Sequence, residues 1–211
     1  MHKPYSTPLT EIRREHLVVN SRFIATLAPA ASPEAARAFI ARLKTEFADA
    51  QHNVAAYIIG SGNTVTEFCS DDGEPSGTAG KPALAVLRGS GLGDVAVVIT
   101  RYFGGTLLGT GGLVKAYTES TQMVVNAVPR GRRISVYIAM LVIPYPLLER
   151  VRALAARQQA EMIGEDFGAD ITMTVRIPVE SFEAFQNELR ERSAGKITVE
   201  IIETTETVVA I

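Results

Sequence analysis

The sequence predicts an α+β protein built from two units, and three observations carry that prediction. Apolar runs and turn residues in the first two thirds of the chain alternate as ββαββαβα. After a polar, charged stretch the order restarts as βαββαβ, the split-βαβ or ferredoxin-like pattern. Thirteen of the seventeen glycines fall between Gly60 and Gly112. Glycine costs backbone entropy and adds no side chain to a core, so this concentration points to positive φ angles or to closely approached backbone. Ordinary tight turns account for part of it.

Taken in order, Ile12–Val19 and Arg22–Leu27 read as two strands around a turn at Asn20-Ser21. Ser32-Pro33-Glu34 is a helix start: an N-cap serine, a proline at the first helical position and an acid beside the positive dipole end. Ala36, Phe39, Ile40, Leu43 and Phe47 follow at helical spacing, so one face is buried. Val54–Ile59 and Thr64–Phe68 are strands joined through Gly60-Ser61-Gly62-Asn63. Pro82 opens a short helix carrying Leu84 and Leu87 that ends near Gly89. Asp94–Thr100 is nearly all Val, Ala and Ile, the composition of a strand covered on both faces. A helix from the Gly109–Gly112 loop aligns Leu113, Tyr117, Val124 and Val128.

Arg130-Gly131-Arg132-Arg133 reads as the boundary between the units. Beyond it come a strand at Ile134–Ile143 and a helix from Pro146 with Leu147, Leu148, Val151 and Leu154. A hairpin of Glu161–Phe167 and Ile171–Ile177 turns at Gly168, a helix capped by Ser181 carries Phe182, Phe185 and Leu189, and Lys196–Ile202 is the last strand.

Composition narrows the function classes. At 211 residues, 46% apolar and 21% charged, the chain is that of a soluble globular protein with a real core. No apolar run reaches membrane-span length, and the N-terminus lacks the apolar region of a secretory signal. Cys69 is the only cysteine, so no intrachain disulfide forms, which fits a cytoplasmic location. With only His2, His16 and His52 and no CxxC pair, a structural zinc site is not expected. Residues 1–134 carry 14 basic against 11 acidic groups (+3), and residues 135–211 carry 7 against 12 (−5). The first part can hold a local nucleic-acid patch, whereas the second argues against coating a polyanion along the whole chain.

Two motifs organise the first unit. One is Ser70-Asp-Asp-Gly-Glu-Pro-Ser-Gly-Thr-Ala-Gly-Lys-Pro82; the other is Arg101-Tyr-Phe-Gly-Gly105 with Leu108-Gly-Thr-Gly-Gly-Leu-Val-Lys-Ala-Tyr117. Together they resemble the signature of the IMPACT/YigZ family, and the resemblance covers the whole chain. It implies a ribosomal-protein-S5-domain-2-like fold for residues 1–133 and a ferredoxin-like domain for 134–211. That pairing is similar to the last two domains of the translocation GTPase elongation factor G. Eukaryotic relatives act in translational control by competing for an activator of a stress-responsive initiation-factor kinase. They lack the C-terminal domain, which leaves the partner of this chain open. The family supplies no catalytic residues to carry over.

The residues themselves allow a site. Backbone N–H groups at Gly109, Gly111 and Gly112 begin a helix, where unpaired donors and the dipole favour an anion. Lys115 lies one turn in, and Arg101 ends the strand feeding the same loop. Arg101, Tyr102, Gly104, Gly105, Gly109, Gly111, Gly112, Lys115 and Lys81 are therefore candidate anion or nucleic-acid contacts. The alternative is that the glycines serve tight packing, with Arg101 and Lys115 solvated or paired to Asp71, Asp72 or Glu74. Those acids could hold Mg²⁺ beside a phosphate; the favoured reading is that they make turn hydrogen bonds or cap the next helix. Tyr102, Phe103 and Tyr117 could stack on bases, although Tyr117 also belongs to an apolar helix face. His52 has no partner visible in sequence, and Cys69 reads as a small packed residue.

Nucleotide motifs fail. Gly80-Lys81 is followed by Pro82 instead of Ser or Thr, and the GxGxxA letters at Gly91–Ala96 precede a strand instead of following one. Two classes remain: a non-catalytic binding protein linked to translation, contacting RNA or a ribosome-associated partner, and a phosphate-dependent small-molecule enzyme. The resemblance favours the first.

Overall fold

The structure, a computed structural model, describes residues 5–61 and 64–211. Gly62 and Asn63 of the expected turn lie outside the described residues. The chain divides into two compact units, Met1–Arg132 with Val208–Ile211, and Arg133–Thr207.

In the first unit, β1 (Ser6–Pro8) precedes a hairpin of β2 (Ile12–Val18) and β3 (Ser21–Pro29). Its register, Ile12↔Leu27 to Val18↔Ser21, puts the turn at Val19-Asn20, one residue before the position read from sequence. Val19 takes φ +55. A β-branched residue rarely adopts that conformation, so nothing local announced the turn there. Helix α1 (Pro33–Glu46) begins as expected, with Ser32 Oγ accepting the Ala35 amide. Strands β4 (His52–Ser61) and β5 (Thr64–Ser70) pair antiparallel. Helix α2 (Gly80–Gly89) starts two residues before Pro82, because a distant carboxylate described below satisfies its first amides. Strand β6 (Val95–Tyr102) and helix α3 (Gly109–Ala127) complete the set.

The sheet order is β2-β3-β6-β4-β5, antiparallel throughout. Alternating side chains of β6 supply both faces, as its unbroken apolar sequence requires. Val95, Val97 and Ile99 pack with Leu84 and Leu87 of α2 and Leu113, Tyr117 and Val124 of α3. Ala96 and Val98 pack with Ala36, Phe39 and Leu43 of α1.

The segment read as the boundary, within which the two units divide after Arg132, is already strand: β7 runs Arg130–Ile143, starting four residues before the expected Ile134. A Cβ at Gly131 would lie 2.6 Å from Leu9 and 2.7 Å from Val208, so only glycine admits the packing around this strand. Polar side chains announced exposure there, not an interruption of the backbone.

The second unit continues with a 3-10 turn at Tyr145–Leu147, α4 (Leu148–Arg157), β8 (Glu161–Phe167), β9 (Ile171–Pro178), α5 (Val179–Arg192) and β10 (Val199–Ala210). Pro178, not Ser181, is the N-cap of α5. The last strand runs eight residues past its expected end at Ile202, its exposed Glu and Thr having hidden it from an apolar pattern. β7 lies between β9 and β10, with β8 outside β9. Phe185, Leu189, Val151 and Leu154 cover Leu141, Ile143, Met173 and Val175. This is the ferredoxin-like order, following an S5-domain-2-like first unit.

Candidate functional site

Sheet register builds the site. Arg101 of β6 is paired with Phe23 of β3 and with His52 of β4, so the three side chains form a row on the face that carries α2 and α3. Polar loop residues close over that row from one side, and the start of α3 closes it from the other.

The loop is organised by its acids. Asp71 Oδ2 accepts the Gly77 amide at 2.8 Å, while Oδ1 accepts those of Ala79 at 3.1 Å and Gly80 at 2.8 Å. It thus caps α2, which has no capping side chain of its own. Burial raises the pKa of Asp71, but the three amides and Lys81 outweigh it and hold the carboxyl below its ordinary value. Asp72 takes φ +47. Its carboxylate accepts Lys44 Nζ at 2.5 Å and the Asn53 amide at 2.6 Å. Burial again opposes, and these bonds again prevail, so its pKa is lowered too.

Glu74 does something different. Its side chain is 2% exposed, and Oε1 accepts both Arg101 Nη1 and the Tyr117 hydroxyl at 2.7 Å. Burial and the neighbouring carboxylate push the Tyr117 hydroxyl far above the ordinary tyrosine range, so it stays a donor. Arg101 also donates from Nη2 to Ser21 Oγ at 3.3 Å, and its guanidinium lies 5.4 Å from the Phe23 ring centre and 5.7 Å from that of Phe103. Arg101 Nε is buried with no hydrogen-bond partner among the described residues. His52 Nδ1 lies 2.8 Å from the Asp72 carbonyl. A carbonyl only accepts, so Nδ1 carries the proton. His52 Nε2 then stands 3.8 Å from Glu74 Oε1.

Above this network lies a cleft of about 460 Å³ lined by Gln51, His52, Gly73, Glu74, Pro75, Arg101, Phe103, Leu107, Leu108, Gly109, Thr110 and Leu113. Its walls are chiefly apolar. Leu107 is 87% exposed and Phe103 43%.

The glycines divide by role. A Cβ at Gly104 would fall 1.9 Å from the Asn20 carbonyl oxygen, so the loop after β6 is pressed against the β2–β3 turn. A Cβ at Gly80 would fall 2.8 Å from the Ser70 backbone. Gly105 and Gly109 have positive φ, +80 and +69. At Gly111 a Cβ would meet nothing, whereas at Gly112 it would sit 3.1 Å from Leu108 Cβ.

Of the residues expected to form a site, Arg101, Glu74 and Gly109 share the cleft. Lys115 does not line it; its side chain is 77% exposed and lies 3.9 Å from Glu119, one turn along α3. Lys81 is exposed at the start of α2, and Tyr102 donates to Asp49 Oδ1 at 2.8 Å beneath the Arg22 guanidinium. Tyr117 is fully buried, and its ring packs edge-on against Phe23. Among the described residues, no three His, Cys, Asp or Glu side chains come together as a metal site. Sequence reasoning missed Ser21, Leu107 and Leu113 as parts of the site. The Leu107-Leu108 pair inside a glycine-rich loop was the available signal.

Comparison with known proteins adds the context. The Impact N-terminal domain matches residues 19–125, and a domain of unknown function, DUF1949, matches residues 141–196. An IMPACT family member of Haemophilus influenzae is 37% identical over 94% of this chain and 97% of its own length. The IMPACT family member YigZ of Escherichia coli is 36% identical over 94% and 96%. A solved structure described as a hypothetical protein superposes with a TM-score of 0.63 at 35% identity, covering 96% of this chain and 98% of that one. Among the described residues, no helix is long and apolar enough to cross a membrane.

Proposed function

This chain belongs to the IMPACT family, and from that premise we propose that it is a non-catalytic binding protein linked to translation or its regulation, engaging a ribosome-associated protein through the cleft of its first unit. One observation carries this reading: the charges at the floor of the cleft are neutralised within the protein, and what faces outward is apolar. Glu74 and Arg101 bind each other, Asp71 and Asp72 hold the loop, and Phe103, Leu107, Leu108 and Leu113 form the walls. An exposed apolar patch above a rigid polar floor is the anatomy of a docking site. A phosphate-transferring enzyme would need free cations and a metal-holding carboxylate at this place.

RNA is the second reading, supported by the net positive charge of residues 1–134 and by exposed Lys115 and Lys81. Co-sedimentation with ribosomes separates the two. Under the docking reading Leu107→Asp abolishes retention and Lys115→Ala leaves it within about twofold. Loss with Lys115→Ala and retention with Leu107→Asp would transfer the function to RNA contact. No retention of the wild type would remove the link to ribosomes.

A further inference from the structure

The floor of the cleft presents one acceptor in search of a donor, His52 Nε2, since Glu74 Oε1 already accepts from Arg101 and Tyr117. With Nδ1–H given to the Asp72 carbonyl, a neutral His52 turns the lone pair of Nε2 toward the cleft. Among the described residues no donor hydrogen-bonds to that lone pair; Glu74 Oε1, itself an acceptor, lies 3.8 Å away. Two acceptors make no direct hydrogen bond, so neutral His52 and Glu74 are joined only through a donor between them. The distance is short enough for one inserted N–H or O–H group to lie within hydrogen-bond reach of both.

Charge then decides what kind of donor fits. Glu74 is balanced by Arg101 at 2.7 Å. An ammonium or guanidinium at the same place would stand beside Arg101 with no carboxylate left to balance it, in a cleft with largely apolar walls. A neutral donor carries no such cost. The walls ask for a flat apolar body next to that donor: Phe103 offers ring contact, with Leu107, Leu108 and Leu113 around it. A rim residue 87% exposed, as Leu107 is, is covered only when the ring arrives on a larger surface.

We infer that the cleft receives the indole or phenol side chain of a protein partner, its ring against Phe103 and the leucines and its N–H or O–H donated to His52 Nε2 beside Glu74. The inference rests on the docking reading above and names the anchor that reading leaves open. It makes His52 a specificity-determining residue: it rejects a ring that lacks the donor, because a buried acceptor would be left unpaired.

The chain contains six tyrosines but no tryptophan, so with excitation at the red edge of indole absorption the emission of an added indole is free of protein background. The experiment titrates the full chain with N-acetyl-tryptophanamide and with its 1-methylindole analogue, which fills the same space without the N–H. The expected result is a blue shift of the parent probe on binding and affinity about tenfold weaker for the methylated one, the worth of one hydrogen bond. His52→Ala should abolish the discrimination, and His52→Gln, which restores an acceptor, should recover part of it. Equal affinity of the two probes for the wild type would overturn the proposal without recourse to any variant. So would tighter binding of cationic tryptamine than of the neutral probe. Preferential binding of a nucleoside would overturn it in favour of a flipped base. If no probe binds while Leu107→Asp still abolishes ribosome retention, the aromatic anchor is wrong and the docking reading stands. Probe binding without ribosome retention is the converse.

Discussion

The Glu74–Arg101 pair offers the sharpest energetic prediction. Both side chains are almost fully buried, at 2% and 6% exposure, and their 2.7 Å bond is supplemented by the Tyr117 hydroxyl on the same carboxylate oxygen. Removing Glu74 by Glu74→Ala leaves a guanidinium whose Nε already lacks a partner, and strands the Tyr117 hydroxyl as well. Breaking a buried pair by deleting one member costs about 3–5 kcal/mol, because an uncompensated charge remains. Arg101→Met leaves Glu74 with one donor and should cost nearly as much. The double variant leaves no orphaned charge, so it should be less destabilised than the sum of the singles by about 2 kcal/mol or more. Urea unfolding followed by circular dichroism reads these values as midpoint shifts at constant slope. Single substitutions that each cost under about 1 kcal/mol and add without coupling would refute the view that this pair holds loop, sheet and α3 together.

Other consequences concern the loops and the units. Asp71→Asn replaces one acceptor by an amide donor facing the Gly77 N–H or the α2 amides, and should cost about 1–2 kcal/mol at neutral pH. Because the folded-state pKa of Asp71 lies below its unfolded value, that contribution is complete above the ordinary carboxyl pKa of about 4 and is lost as pH falls through the folded value. Wild type and variant should therefore converge in stability in acid, and a constant difference down to pH 2 would contradict the capping role. Gly104→Ala drives a methyl to 1.9 Å from the Asn20 carbonyl oxygen and should destabilise more than Gly111→Ala, where the space is open; equal thermal midpoints would refute the close approach. Residues 134–211 alone, carrying the second core, should unfold cooperatively, and a broad transition without a heat-absorption peak would show that they depend on the rest of the chain.

How much of this was legible in the sequence follows from the range over which each feature is encoded. Local signals read well. Ser32-Pro33 marked the start of α1, the Val/Ala/Ile run marked β6 as buried on both faces, and the βαββαβ order marked the second unit. The glycine concentration announced close approaches but not their partners: Gly104 is set against Asn20, eighty-four positions away, and no window of the chain contains both. The same holds for the site. Arg101 was recognised as a strand-end cation, but its partnership with Glu74 depends on loop closure, and its row with Phe23 and His52 depends on sheet register. Lys115 looked close to Arg101 because both flank one loop. Its position on α3 directs it elsewhere, toward Glu119. Strand was not legible in the charged stretches: at Arg130–Arg133, where the units divide, and beyond Ile202 the backbone runs on as strand, since exposed strands tolerate charge.

The salt dependence of ribosome retention tests the central claim most directly. A cleft with internally neutralised charges and apolar walls should hold its partner with little dependence on ionic strength. The logarithm of the binding constant should then fall by well under one unit per tenfold rise in salt, with Arg101→Met acting through stability and not through the slope. Contact through Arg101, Lys115 and Lys81 to single-stranded RNA would give a slope of about −0.7 for each phosphate engaged, approaching −2 for all three. A flat dependence agrees with the docking account, and a steep one that flattens in Lys115→Ala contradicts it.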